Sequence, residues 1–120
     1  MDQQFTQEIT LLHDQVCSAL GDPTRILILY ALRDQPWSVG ALADALGMPQ
    51  SSLSRHLKVL RDRALVNTAR QGTTIYYTLA DDRLVQALEL LRGVLRDRVL
   101  ARHAALIENS ASTAEETEAP

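Results

Sequence analysis

Residues Met48 to Val66, MPQSSLSRHLKVLRDRALV, restrict this chain more than any other segment. Leu53, Leu57 and Leu60 recur at helical spacing, so one stripe of the segment must face a core. Gln50, Ser51, Ser54, Arg55, Lys58 and Arg61 occupy the rest of the same helix. Pro49 suits the first turn of a helix, where its missing N–H costs nothing, and the pattern predicts a helix over 49–62. Short hydrogen-bonding side chains lead and long cations follow. A helix lying in a major groove needs that arrangement, with small polar groups at base edges and cations on phosphates. The segment reads as a recognition helix.

The flanking sequence builds a frame for it. Phe5, Ile9, Leu12, Val16 and Ala19 recur at steps of four and three, predicting a first amphipathic helix over 4–19 that Gly21 ends. Asp22 caps a second helix with Pro23 at its first position, and Ile26 to Leu32 supply apolar bulk. Gln35-Pro36-Trp37 breaks the chain, with Trp37 expected in a loop, and Ser38 caps a short third helix that Gly47 stops. A third helix, a short turn and the recognition helix together make a helix-turn-helix.

After Ala64 the period changes. Val66–Arg70 and Thr74–Leu79 are rich in β-branched and aromatic residues and are joined by Gln71-Gly72-Thr73, which predicts a β-hairpin. Directly behind a recognition helix, such a hairpin is a wing able to reach the flanking DNA backbone or minor groove. Tyr76 and Tyr77 alternate along the second strand, so one is expected in the core and the other exposed. From Asp81 a helix is expected to run to about Ile107, with Leu84, Leu88, Leu91, Leu95, Val99 and Leu106 on one stripe. At 1.5 Å per residue it would be roughly 40 Å long, more than a small domain needs to cover its own core. Its surplus apolar face, with that of the first helix, predicts a dimer seam. The expected fold class is mainly α with a small β-hairpin, a winged helix-turn-helix dimerising through its first and last helices.

Composition agrees once charge is located. The formal net charge of the 120 residues is −3, but the last thirteen carry four of the fifteen acids and no cation. Residues 1–107 therefore carry a net +1, and Gln50–Arg70 hold five cations against Asp62 alone. Steering toward phosphates depends on the local field more than on the total. The expected organisation is a winged-helix DNA-binding and dimerisation domain over 1–107 and an acidic disordered tail over 108–120. A polar, acidic N-terminus is unlike a signal peptide, and a lone cysteine cannot close an internal disulfide, so a cytoplasmic protein is expected. No nucleophile–base motif and no phosphate-cradling glycine loop is present, so neither an enzyme nor a cofactor is expected.

Taken in order, ALGDPTRILILYAL, SVGALADALGMPQSSLSRHLKVLRDRALV and RQGTTIYYTL resemble the consecutive signatures of the arsenic-repressor-like (ArsR/SmtB) winged-helix transcriptional regulators, over about residues 9–105. The resemblance implies a homodimer that binds a palindromic operator and is released by an inducer or metal ion. It places Gln50, Ser51, Ser52, Ser54 and Arg55 at groove-facing positions, His56 on the family's usual histidine, Tyr77 on its wing tyrosine and Arg25 on the arginine of the second-helix motif. The expected DNA contacts are Gln50, Ser51, Ser52, Ser54, Arg55, His56, Lys58, Arg61, Arg70 and Thr73, with His56 serving either DNA or a hydrogen bond that anchors the motif.

Three departures from the family stand out. Ala64 replaces a usual glycine, at a cost of about 1 kcal/mol if that turn needs a positive φ. The wing tip, Gln71-Gly72-Thr73-Thr74, is less basic than usual and leaves Arg70 as its main cation. Neither family metal site is kept: Ser38, Val39, Gly40 and Ala41 replace the thiolate site, and Arg83 and Val94 stand where the last-helix zinc site needs imidazoles. The remaining sensor candidates are His13, Cys17 and His103, set against a structural reading in which Cys17 packs beside Val16 and Leu20. A reading from another class also stands: a winged-helix interaction module without sequence-specific DNA binding.

Overall fold

Asp22 opens the helical core. Its carboxylate accepts the Thr24 backbone N–H at 2.7 Å and Pro23 follows in the first turn, so α2 runs over Pro23–Asp34. This bond holds the Asp22 carboxyl below its ordinary range, helped by the nearby Arg25 charge and opposed by partial desolvation. Ser38 caps α3 (Val39–Leu46) by accepting the Ala41 N–H at 3.3 Å, and α4 follows over Gln50–Asp62. Pro49 stands just outside α4, at the N-cap with extended backbone, rather than in its first turn. The first turn starts at Gln50, and the Pro49 carbonyl accepts from the Leu53 N–H.

The computed structural model describes residues 1–118, in two units, Met1–Val85 and the segment from Gln86 onward. In the first, Ile28, Leu29, Leu42, Leu53, Leu57 and Leu60 are wholly excluded from solvent. α2 and α3 both pack on α4, which brings these side chains together. Leu27 departs from the expected apolar bulk of α2 and points into solvent.

The wing forms as expected, with β2 over Val66–Gln71 and β3 over Thr74–Leu79 paired antiparallel from Val66↔Leu79 to Gln71↔Thr74. A third strand was not foreseen: Trp37–Ser38 is β1, pairing with Tyr77 and Tyr76, so the order is β1-β3-β2. Trp37 is therefore a strand residue rather than a loop residue, and its indole N–H donates to the Ala31 carbonyl at 3.1 Å. With β3 central and with α2 and α3 against it, Tyr76 and Tyr77 are both half-buried instead of split between core and solvent.

The first helix also differs. α1 spans Gln3–Leu12, and the chain then widens to a π-helical turn at His13–Cys17 and tightens to a 3₁₀ turn at Ala19–Gly21. No side chain of α1 or of the π turn is buried; Ala19 is the first residue of the chain in the core. Phe5, Ile9 and Leu12 lie exposed along α1.

Asp81 begins the last helical run. Its carboxylate accepts the Arg83 backbone N–H at 2.9 Å and takes the guanidinium through both oxygens, the shortest contact 2.7 Å. α5 (Arg83–Val94) leads to a second π-helical stretch at Leu95–Leu100 and then to α6 (Ala101–Glu118). In the second unit Leu91, Leu95, Val99 and Leu106 are exposed. Composition assigned a disordered tail to 108–120, whereas α6 continues to Glu118; residues 119 and 120 lie outside the described residues. Once a helix exists each added residue gains a hydrogen bond, and the alanines and glutamates of this stretch are good helix formers.

α3 and α4 end in the same way. Met48 N–H bonds the Ala43 carbonyl and Gly47 N–H the Asp44 carbonyl; Leu65 N–H bonds the Leu60 carbonyl and Ala64 N–H the Arg61 carbonyl. Such a turn needs a left-handed residue, supplied by Gly47 at φ 64° and by Ala64 at φ 61°. Ala64 thus takes a conformation that costs an L-residue about 1 kcal/mol or more. Ala64→Gly should stabilise the protein by roughly 0.5–1 kcal/mol, read by urea unfolding; a loss of stability would mean that the methyl group makes a compensating contact.

The Asp81 pair gives a pH dependence. The Arg83 guanidinium, then the Arg83 N–H, lowers the Asp81 carboxyl to about 2. A carboxyl depressed on folding adds stability above its unfolded value, about 4, and loses it as pH falls through about 2. Carboxyl-carbon NMR should show Asp81 titrating near 2, and Arg83→Gln should move it toward the ordinary range.

Candidate nucleic-acid interface

The core determines which side of α4 is presented. With Leu53, Leu57 and Leu60 buried, Gln50, Ser51, Ser54, Arg55, Lys58 and Arg61 are all exposed on the opposite side. Gln50, Ser51 and Ser54 lead in the N-terminal half, Arg55 follows beside Ser54, and Lys58 and Arg61 lie in the C-terminal half. Small polar groups thus lead the helix with cations following, the arrangement that base-edge readout and phosphate contact would use. Arg55 and Arg61 make no ion pair among the described residues, whereas Lys58 is bonded to Asp62 at 2.8 Å. On the wing, Arg70 and Thr73 are exposed, and Gly72 supplies the left-handed residue of the two-residue loop with φ 63°.

Two expected contacts are placed differently. Ser52 and His56 are half-buried, on the flank of α4 between the leucine stripe and the exposed face. His56 Nδ1 lies 3.3 Å from Arg25 Nη1. A guanidinium only donates, so Nδ1 is the acceptor in this contact. Of the two roles open to His56, this geometry supports the anchoring one: the imidazole joins α4 to α2.

Arg25 reaches further. Its Nε donates to the Ala19 carbonyl at 2.5 Å and its Nη2 to the Ser18 carbonyl at 3.4 Å. Arg63, at the C-cap of α4, donates through Nη1 to the Asp14 carbonyl, to the Ser18 hydroxyl at 2.6 Å and to the Gln15 carbonyl at 3.4 Å. Sequence reasoning gave Arg63 no role. Its only signal is its place one residue before the turn, and that acquires meaning only when the turn folds back on the first helix.

Of the sensor candidates, His13 and Cys17 lie in the first unit and His103 in the second. Cys17 is exposed rather than packed beside Val16, because no side chain of the His13–Cys17 turn enters the core. His13 is exposed and bonded to its neighbour Asp14 at 3.1 Å, and His103 is exposed in the second unit. Among the described residues, no three His, Cys, Asp or Glu side chains gather as a metal site. Arg83 fills both oxygens of Asp81 with a guanidinium. Arg92 is bonded to Glu89 at 2.6 Å. No helix among the described residues is long and apolar enough to cross a membrane.

Comparison with known proteins gives a consistent picture. A family model described as "Bacterial regulatory protein, arsR family" matches residues 22–68, from the cap of α2 into β2. The chain is 42% identical over 80 residues to the nodulation protein NolR of Rhizobium meliloti, covering 67% of this chain and 66% of that one. It is 36% identical over 91 residues to the transcriptional activator HlyU of Vibrio cholerae, covering 76% and 80%. The homodimeric winged helix-turn-helix DNA-binding domain of Mb0332 from Mycobacterium bovis, described as a possible ArsR-family regulator, superposes with a TM-score of 0.71 at 26% identity, covering 82% and 91%. The chain spans 59–66% of the length of the first curated relatives it matches.

The unequal cations of α4 separate in a salt titration. Arg55→Ala should weaken DNA binding and reduce the slope of log affinity against log salt by about 1, as for a lost phosphate contact. Lys58→Ala should reduce it by less, because Asp62 already neutralises that ammonium. Unchanged affinity in both variants would remove this face from the interface.

Proposed function

Because the chain belongs to the arsR family of bacterial regulatory proteins, we propose that it is a homodimeric transcriptional repressor that binds a near-palindromic operator and leaves it on a signal. The observation that carries this reading is α4: three wholly buried leucines hold an uninterrupted polar and basic face in solvent, beside a wing bearing Arg70. Each protomer lays α4 in a major groove, with the two half-sites one helical turn of DNA apart. Gln50, Ser51 and Ser54 read base edges. Arg55, Arg61 and Arg70 hold phosphates, and Lys58, shared with Asp62, contributes less. Ser52 and His56 support the helix from its flank.

A second copy of the chain would cover the exposed Phe5, Ile9 and Leu12 of α1 and the exposed leucine and valine face of the second unit. Large exposed apolar faces on a small domain are the usual mark of such a seam. Binding at a promoter blocks polymerase; the protein performs no chemistry and works in the cytoplasm, where the chromosome is. The releasing signal comes from a small molecule, metal ion or thiol oxidant, with His13, Cys17 and His103 the titratable and soft groups it would meet near the seam.

The test is retention of the protein's own fragmented genome on the purified, metal-stripped dimer at moderate salt, followed by sequencing. One or a few enriched inverted repeats upstream of genes are expected, with transcription from those promoters falling when protein is added. A rise in transcription would make the protein an activator. No enrichment by a folded dimer would favour the interaction-module reading.

A further inference from the structure

We propose that Arg63, with Arg25 and Ser18, is a positioning clasp that fixes the angle between α1 and the recognition helix α4, and thereby the half-site spacing that the dimer accepts. The proposal rests on the reading above, in which α1 lies at the seam and α4 in the groove.

α1 has no buried side chain, and neither has the π turn after it. Apart from the half-buried Val16, apolar packing therefore contributes little to the direction in which α1 leaves the domain. What reaches the end of this helix is hydrogen bonding from the helix-turn-helix core. The π turn is closed by the Ser18 N–H on the His13 carbonyl at 2.8 Å, and the Ser18 carbonyl accepts the Gly21 N–H at 3.3 Å; the carbonyls at this helix end are also open to side-chain donors. Arg63 takes those of Asp14 and Gln15, and Arg25 takes those of Ser18 and Ala19. The Ser18 hydroxyl ties the two levels together, donating to the Asp14 carbonyl at 2.6 Å while accepting from Arg63. Two cations at the negative end of a helix are also favoured by its dipole.

The same guanidiniums are fixed to α4 at their other ends. Arg63 is the C-cap residue of α4, and Arg25 is bonded to His56 in the middle of that helix. The end of α1 is thus held at two points along α4, one near its centre and one at its end. Two separated attachments determine an angle where one would leave a pivot. In a dimer joined through α1, that angle sets how far apart the two recognition helices stand, and operator spacing mirrors this distance. None of the three side chains needs to touch DNA.

Operator binding of Arg63→Gln, Arg63→Lys and Ser18→Ala tests the clasp, using the retained inverted repeat and copies with one base pair inserted or removed between the half-sites. Wild type should prefer its own spacing by about tenfold or more. Arg63→Gln should lose most of that preference, while its affinity for random-sequence DNA and the salt slope there stay at wild-type values. Arg63→Lys, which keeps one donor, should recover part of it. Ser18→Ala, which removes only the hydroxyl, should show a smaller loss and keeps the test open if Arg63→Gln does not fold. Unchanged spacing preference in Arg63→Gln or, failing that variant, in Ser18→Ala would overturn the clasp. So would a salt slope smaller by about 1 on random DNA in Arg63→Gln, since Arg63 would then be a phosphate contact. Failure of wild type to find any operator would overturn the DNA-binding reading and the clasp with it.

Discussion

Everything on the polar and basic side of α4 depends on the exclusion of Leu53, Leu57 and Leu60 from water. Fully burying each is worth about 1.5–3 kcal/mol. Turning α4 about its axis by one residue would expose part of that stripe and carry Arg55 or Lys58 toward the interior, where an unpaired charge costs several kcal/mol. The outward direction of Gln50, Ser51, Ser54 and Arg55 is therefore a consequence of core packing. In the proposed DNA-binding reading, a face held in this way is already formed before DNA arrives.

The connections around α4 carry the next level of control. Gly47 and Ala64 place the same hydrogen-bonded turn at the two ends of the motif, one leading from α3 into α4 and the other from α4 into the wing. At the first the left-handed residue is one that accepts the conformation freely. At the second it is alanine, and the strain must be met by the surrounding bonds: Leu65 closing on Leu60, Leu65 and Val66 buried, and Arg63 held on the first helix. Strain tolerated at one turn is thus balanced by contacts on both sides of it.

Charge is distributed with equal economy. The protein as a whole is acidic, yet α4 and the wing present Arg55, Arg61 and Arg70 without internal partners among the described residues, while Lys58 and Arg83 are neutralised by near neighbours. Where the family's metal-binding members would place an imidazole near Asp81, this chain has a guanidinium that occupies both carboxylate oxygens. A permanent cation there gives the start of α5 a fixed charge balance that no exchangeable ion has to supply.

The sequence by itself determined the elements whose signals are local. Leucines at steps of three and four, Asp22 before Pro23, Ser38 as a cap and a β-branched hairpin around Gly72 each act over a few residues, so helix-turn-helix and wing could be read directly. Ala64 is intermediate: sequence marked the position, and backbone geometry showed that its φ is positive. Only the tertiary structure made Trp37 a strand residue, because its partner Tyr77 lies 40 positions away. It also assigned Arg63, whose acceptors are carbonyls of Asp14 and Gln15; backbone oxygens carry no residue signature, so no pattern in the chain announces them. Short-range chemistry is written in residue identity and spacing. Long-range pairings to backbone groups exist only once the chain has folded.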